Sequence, residues 1–134
     1  MSVDSPAGLA ALERLREICL ALPEVNERPS HMTPTFFIRD KKVLCHLWED
    51  HHGDGRLAIW CPAPDGVQKD VTEREPERFF VPRYVGHRGW IGLRLDVEVD
   101  WSEVAAVLDD AYRVAAPKTL IRELDERRSG DADS

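Results

Sequence analysis

Apolar residues near the start of the chain recur at spacings of three and four, which is typical of an amphipathic helix. The residues that set this spacing are Leu9, Leu12, Leu15, Ile18, Cys19 and Leu22. Ser5 before Pro6 fits the N-cap and the first helical position, and Pro23 ends the helix. The next segment, residues 24–34, holds two prolines together with Ser, Thr and Asn, and is predicted to be a loop.

Three short apolar segments follow, over residues 35–38, 42–48 and 57–61. Their lengths suit strands, and both connections have turn-forming residues, with Arg39-Asp40-Lys41 in the first and Gly53 and Gly55 in the second. The pattern therefore predicts an antiparallel meander of three strands.

The second half of the chain begins with a short predicted helix that opens at residues 62–65 and ends before Pro76. Residues 79–81 and 90–95 are predicted strands. Asp100-Trp101-Ser102-Glu103 has the form of a capping box in which Asp replaces Ser or Thr. A buried stripe at helical spacing comes after it, formed by Val104, Val107, Leu108, Ala111 and Ala115.

The predicted order is therefore α-βββ-α-ββ-α, followed by a terminal helix from about Leu120. This order favours a two-layer α+β fold with a mostly antiparallel sheet and helices on one of its faces. We expect a single domain over residues 1–126, and a disordered polar tail over residues 127–134.

Length and cysteine usage agree with one domain in a reducing compartment. A chain of 134 residues is too short to divide into two ordinary domains. Its three cysteines are an odd number and lie far apart, which indicates the cytoplasm rather than a disulfide framework. The first twenty residues carry several charges and no apolar run is long enough to span a bilayer, so we expect neither a signal peptide nor a membrane segment.

The formal net charge is −7, which argues against indiscriminate binding of nucleic acid. The charge is unevenly distributed, because residues 27–48 and 76–96 are net positive while the stretches between and after them are net negative. This segregation predicts one basic face on an acidic body. Ordinary solvated charge is the alternative interpretation.

No pattern in the sequence indicates catalysis. His51 and His52 are adjacent in a turn and lack zinc-site spacing, so we expect a solvated hairpin tip and no metal. Cys45 and His46 are neighbours on a strand and point to opposite faces, so they cannot act as nucleophile and base. Phosphate-loop, dinucleotide-binding and hydrolase motifs are absent from the sequence. We therefore expect a protein that is not an enzyme and has no cofactor.

Residues 82–90 combine glycines, cations and aromatic rings. Gly86 and Gly89 permit positive φ, so backbone N–H groups could converge on an anion. Arg83, Arg88 and a protonated His87 could add donors. A purely structural connection between strands, with its aromatic residues anchoring the core, is the alternative.

The chain resembles the MmcQ/YjbR family over roughly residues 9–124. The segments that carry this resemblance are Leu22-Pro23-Glu24-Val25, Ser30-His31, Pro34-Thr35-Phe36, Lys42, Arg78-Phe79-Phe80-Val81-Pro82, Tyr84-Val85-Gly86, Gly89-Trp90, Asp100-Trp101, and Ala111-Tyr112 with Ala115-Ala116-Pro117-Lys118. Met32 departs from the pattern, since the family commonly has Gly after the histidine.

The resemblance implies a fold like that of type III secretion chaperones, and a cytoplasmic bacterial protein that is a monomer. It also implies DNA binding through a double-wing arrangement, with no catalytic residues. On this sequence the basic segments 39–42 and 83–88 would make weak contacts to DNA. The candidate contact residues are Arg39, Lys41, Lys42, Arg83, Tyr84, His87, Arg88 and Trp90. Two alternatives remain open: a protein-interaction adaptor, and a small-anion or nucleotide-binding domain centred on residues 82–90.

Overall fold

The computed structural model describes residues 3–132, and these form four α-helices and a six-stranded sheet. The helices are α1 (Pro6–Cys19), α2 (Val67–Arg74), α3 (Trp101–Ala115) and α4 (Lys118–Ala132). The strands are β1 (Val25–Ser30), β2 (Thr33–Ile38), β3 (Lys42–Glu49), β4 (Leu57–Cys61), β5 (Phe79–Phe80) and β6 (Ile91–Arg94). All pairings are antiparallel, in the order β1-β2-β3-β4-β6-β5. The predicted α+β class is confirmed.

All four helices contribute to a core on one face of the sheet. α3 packs across β3 and buries Tyr112, whose hydroxyl donates a hydrogen bond to the carbonyl of Pro23 at 2.8 Å. Cys19 and Cys45 meet in this core with their sulfur atoms 4.0 Å apart. The pKa of the Cys45 thiol is raised by its contact with Cys19 and by burial, so the thiol stays protonated. None of the described helices is long and apolar enough to cross a membrane.

The segment predicted to be a loop over residues 24–34 instead contains β1, an edge strand paired with β2 along its whole length. Pro29 is tolerated there because an edge strand leaves one side of its backbone unpaired. The meander of β2, β3 and β4 is confirmed, and β1 extends it by one strand.

The chain is also helical where a disordered tail is predicted from residue 127, since α4 continues to Ala132. Arg127 pairs with Glu123 one turn earlier, and Arg128 pairs with Asp109 of α3, so charge pairs replace apolar burial along this part of α4. Residues 133–134 of the predicted tail lie outside the described residues.

A β-bulge in β3 determines which of its side chains face the helices. The register with β2 shifts between Phe36 and Phe37, and Leu44 and Cys45 both join the helix-side core. Alternation then resumes, so His46 and Trp48 lie on the opposite, helix-free face of the sheet.

Candidate ligand-binding site

The helix-free face of the sheet carries a cavity of about 470 Å³, here called the His/Trp cavity. Its lining comes from β3, β4 and three connecting segments, and consists of His31, His46, Trp48, His51, His52, Trp60, Arg83, Tyr84 and Val85. No carboxylate is among these lining residues, although the chain as a whole is acidic. The lining of the cavity is thus aromatic, rich in histidine, and without an acidic side chain.

Three tryptophans form a small apolar cluster beneath this cavity. Trp48 and Trp60 lie on neighbouring strands with their ring centroids 5.4 Å apart, and Trp90 joins them from the segment before β6. The His46 ring lies 6.0 Å from Trp48 and 6.1 Å from Trp90. His46 is therefore packed against aromatic rings.

His46 is buried, and its Nδ1 lies 2.9 Å from Oγ1 of Thr35. The Thr35 hydroxyl also lies 3.2 Å from the carbonyl of Thr33, to which it can donate. In that arrangement its oxygen accepts from Nδ1–H of His46, and Nε2 keeps the lone pair. Burial, and then the nearby His31, lowers the pKa of His46 to about 4, so the ring is neutral at pH 7.

His51 folds inward from the turn between β3 and β4, and only 7% of it is exposed. Its ring centroid lies 4.5 Å from that of Trp48 and 4.6 Å from that of Trp60. Burial is the main cause that lowers the pKa of His51. The prediction of a solvated tip over residues 49–55 is therefore wrong for His51, because its ring gains more from packing on two indoles than from hydration.

The backbone around the cavity adopts left-handed conformations at residues other than glycine. His31, His52 and Tyr84 line the cavity with φ of 53°, 49° and 67° respectively, and Asp50 before His51 has φ 53°. Such conformations cost free energy for residues with a Cβ, and they concentrate at binding and catalytic sites. The turn is held by Asp50, whose Oδ1 accepts from the Gly55 N–H at 2.7 Å.

Two polar atoms in the walls of the cavity are buried without a partner among the described residues, Trp48 Nε1 and His51 Nδ1. A buried polar atom that makes no hydrogen bond costs about 1–3 kcal/mol. Each such atom in a native protein therefore needs an explanation, such as a bound water, ion or ligand.

A second depression lies next to the cavity and shares His31, His46 and Val85 with it. This basic groove, of about 520 Å³, is also lined by Lys41, Lys42, Arg88, Trp90 and Ser30. It too has no carboxylate in its lining. Lys41, Lys42, Arg83 and Arg88 take part in none of the ion pairs found within residues 3–132.

The structure brings six of the eight predicted contact residues to this connected surface. Arg83 and Tyr84 line the cavity, while Lys41, Lys42, Arg88 and Trp90 line the groove. The other two lie elsewhere: Arg39 pairs with Glu24 at 3.1 Å, and His87 lines neither depression.

The segment over residues 82–90 is held by hydrogen bonds of its own backbone and by a side chain of α2. The N–H groups of Val85, Arg88 and Gly89 donate to carbonyls of the same segment, so they do not converge on a common point. Gln68 of α2 donates from Nε2 to the carbonyls of Gly86 and Trp90, both at 2.7 Å. These three amides are therefore already occupied, and anion binding by the backbone of this segment stays a prediction.

The histidines and tryptophans of the cavity were missed as a group by sequence reasoning. His31, His46 and His51 come from three separate segments, and no local spacing relates them. Strand alternation does place His46 and Trp48 on one face, which is the one available signal. Among residues 3–132 no group of three or more His, Cys, Asp or Glu side chains is arranged to hold a metal ion.

Comparison with known proteins identifies the family of this chain. No curated protein and no solved structure gave a significant match, so the expected likeness to type III secretion chaperones stays a prediction. The model of the YjbR family matches residues 20–114, a range that includes every residue lining the His/Trp cavity. This match covers more than half of the sequence and agrees with the resemblance in its motifs, and the chain therefore belongs to the YjbR family.

Proposed function

We propose that this YjbR-family domain is a binding module for a small anionic molecule with a planar ring. The ring occupies the His/Trp cavity and the anionic group lies at the basic groove. The observation that carries this proposal is that the two depressions are adjacent, sharing His31, His46 and Val85, and that neither has a carboxylate in its lining.

The size and chemistry of the cavity suit such a ligand. Small-molecule sites are concave, mostly apolar, and commonly a few hundred Å³ in volume, with a few polar groups that fix orientation. Trp48, Trp60 and Tyr84 supply apolar surface, and the 70% exposure of Tyr84 leaves much of its side chain free to contact a ligand.

The electrostatics favour an anion at this surface. Lys41, Lys42 and Arg88 surround the groove, and Arg83 stands at the cavity. Most other arginines of the described chain are paired with carboxylates, as Arg39 is with Glu24. A cluster of free cations on an otherwise acidic body attracts anions locally while the rest of the surface repels them.

The histidines fit a ligand-binding site better than a catalytic site. A general base works best when its pKa lies near the operating pH, whereas burial lowers the pKa of His46 to about 4. The nearest thiol along the chain, Cys45, lies in the core on the other face of the sheet. These features support a binding role over an enzymatic one.

Ligand-induced thermal stabilisation and tryptophan fluorescence test the proposal, with phenyl phosphate, benzoate and nucleoside monophosphates as probes. At least one probe should raise the melting temperature by mass action. Inorganic phosphate, which lacks a ring, should have a smaller effect at the same concentration.

The variant Arg88→Ala should weaken binding of the active probe, and the matched control Arg127→Ala should not, because Arg127 lies on α4 and pairs with Glu123. The proposal is wrong if no probe shifts the melting temperature at millimolar concentration. It is also wrong if the two variants weaken binding equally.

DNA binding is a second candidate, favoured by the grouping of Lys41, Lys42 and Arg88 around one groove without ion pairs within residues 3–132. With Arg83, these cations could contact only a few phosphates. Binding of duplex DNA would therefore be weak and only moderately sensitive to salt.

A further inference from the structure

We propose that the ligand of the His/Trp cavity is a nucleotide: the edge of its base bonds to Trp48 Nε1 and to the adjacent His51, and its phosphate lies in the basic groove. This inference rests on the proposed function, since it names the class of ligand for that same site. The observation behind it is the pair of buried polar atoms that lack partners in the cavity walls.

The two unpartnered atoms specify which hydrogen-bond donors and acceptors the ligand must carry. The indole N–H of Trp48 can only donate, so its partner must be an acceptor. Nδ1 of His51 donates or accepts according to the tautomer, and Nε2 of His46, in the same cavity lining, supplies a lone pair when Nδ1 of His46 carries the proton. A nucleobase presents donors and acceptors side by side along one edge, whereas a plain phenyl ring presents none.

The side chains of Trp48 and His51 are in contact. Their ring centroids are 4.5 Å apart, so a base that reaches one of them lies next to the other. Their unpartnered atoms have no accessible surface, so a base reaches them only if the His51 ring turns aside. His51 lies in a tight turn between two residues with positive φ, Asp50 and His52, and such strain is common where a segment responds to ligand.

The exposed ring of Tyr84 in the cavity lining can stack on a base. Tyr84 is largely exposed, and its ring centroid lies 6.2 Å from that of His51. Stacking of bases on aromatic side chains is favourable for every base because each has a π-face. The cavity therefore offers both a stacking surface and edge contacts, a combination that suits a heteroaromatic base better than a simple aromatic acid.

The groove gives the phosphate a place next to the cavity. It shares His31, His46 and Val85 with the cavity, so a ligand that leaves the cavity on this side meets Lys41, Lys42 and Arg88 directly. Charged hydrogen bonds from lysine and arginine are the usual means of holding phosphate in proteins.

Isothermal titration with matched probes tests the base contacts separately from the anion site. The four common ribonucleoside monophosphates are compared with phenyl phosphate, which has a ring and a phosphate but no polar edge. At least one nucleotide should bind about tenfold more tightly than phenyl phosphate, because it adds one or two hydrogen bonds. If phenyl phosphate binds as tightly as every nucleotide, the inference is wrong and the proposed function stands. If nothing binds, both are wrong.

The variant Trp48→Phe removes the N–H and keeps an aromatic ring in the core. Both ligands lose the same apolar contact with the indole, so the binding of the best nucleotide should weaken about three- to tenfold more than that of phenyl phosphate, because only the nucleotide also loses a hydrogen bond. The matched control is Trp101→Phe, since Trp101 begins α3 and does not line the cavity. Equal weakening of both ligands by Trp48→Phe, or no weakening of either, would overturn the inference.

A measurement on the unmodified protein covers the case in which Trp48→Phe does not fold. In ¹H–¹⁵N spectra the indole N–H resonance of Trp48 should move downfield on saturation with the nucleotide, as it gains an acceptor, while that of Trp101 stays in place. An unchanged Trp48 indole resonance at saturation contradicts the proposal.

Discussion

The carboxylate of Asp100 closes the first turn of α3, accepting from the Ser102 N–H at 3.0 Å. The predicted N-cap is thus present, but the second half of the predicted capping box is not, because Glu103 pairs with Arg78 instead. Hydrogen bonds from Ser102 also lower the pKa of Asp100. We expect Asp100→Ala to lower the free energy of unfolding by about 0.5–2 kcal/mol, measured by urea denaturation at pH 7.

Asp100→Asn serves as the conservative variant, since Asn caps helices about as well as Asp and should keep most of the stability. Asp65→Ala is the matched control, because Asp65 is exposed and lies outside every helix. An equal loss in the Asp65 and Asp100 variants would show that the cap contributes nothing specific.

His46 makes stability depend on pH. The folded protein holds the pKa of His46 at about 4, below the ordinary value of 6.5, so the unfolded chain takes up the proton first as the pH falls. The contribution of neutral His46 is therefore fully present above about pH 6.5 and is lost as the pH falls toward 4. Each unit of pKa difference is worth about 1.4 kcal/mol.

Replacing His46 by Gln should flatten the decline of the unfolding free energy between pH 7 and pH 4.5, measured by urea midpoints across that range. The exposed residue His87 provides the control, and His87→Gln should leave the decline unchanged. A profile for His46→Gln that matches the parent protein would mean that His46 is not held neutral by the fold.

Contact between β5 and β6 depends on a residue without a side chain. A Cβ added at Gly92 of β6 would lie 2.4 Å from ring atoms of Phe80 in β5, which is far inside contact distance. We expect Gly92→Ala to cost about 1–3 kcal/mol of stability by displacing the Phe80 ring, measured by thermal or urea unfolding.

A double-mutant cycle identifies the clash. Gly92→Ala should cost less in a Phe80→Ala background, because the ring that it meets is gone. Gly130→Ala is the control, since an added Cβ there meets no described atom within 4 Å and alanine favours the helix. An equal cost of Gly92→Ala in both backgrounds would place the strain elsewhere.

In the folded molecule, four basic side chains line one surface of an acidic chain. Lys41, Lys42, Arg83 and Arg88 border the connected cavity and groove, whereas Arg39 is neutralised by Glu24. If duplex DNA binds here, the logarithm of the binding constant should fall with the logarithm of salt with a slope of about −0.9 per phosphate contact. Four cations limit that slope to about −4.

Fluorescence anisotropy of labelled duplex at several salt concentrations measures this slope. Arg88→Ala should flatten it by about one unit, and Arg39→Ala should leave it unchanged because Arg39 is already paired. Absence of binding even at about 20 mM salt, where counterion release is most favourable, would exclude the DNA candidate.

Local signals in the sequence determined most of the elements of this protein. The spacing of apolar residues predicted α1 and α3, the side chains of Ser5 and Asp100 marked their first turns, and alternation with turn residues predicted the meander of β2, β3 and β4. These features depend on neighbours within about a turn of helix or a strand length, so the order of residues is sufficient to reveal them.

Only tertiary contacts determine that β1 is a strand and that α4 extends as far as it does. β1 has a proline-containing sequence typical of a loop, and its backbone becomes a strand because β2 offers an unpaired edge. The last turns of α4 lack an apolar stripe and instead pair with α3 through Arg128 and Asp109. In both cases the stabilising partner lies at a distance along the chain, so the secondary-structure propensities of neighbouring residues do not reveal it.

The candidate site also depends on the tertiary structure. The cations of residues 41–42 and 83–88 were apparent in the sequence, but the cavity that they border was not, because His31, His46 and His51 come from different segments. A bulge in β3, a strained turn and packing against two tryptophans bring these rings together. Assembly of the sheet sets distances between segments that no local pattern encodes, so the site exists only once the chain has folded.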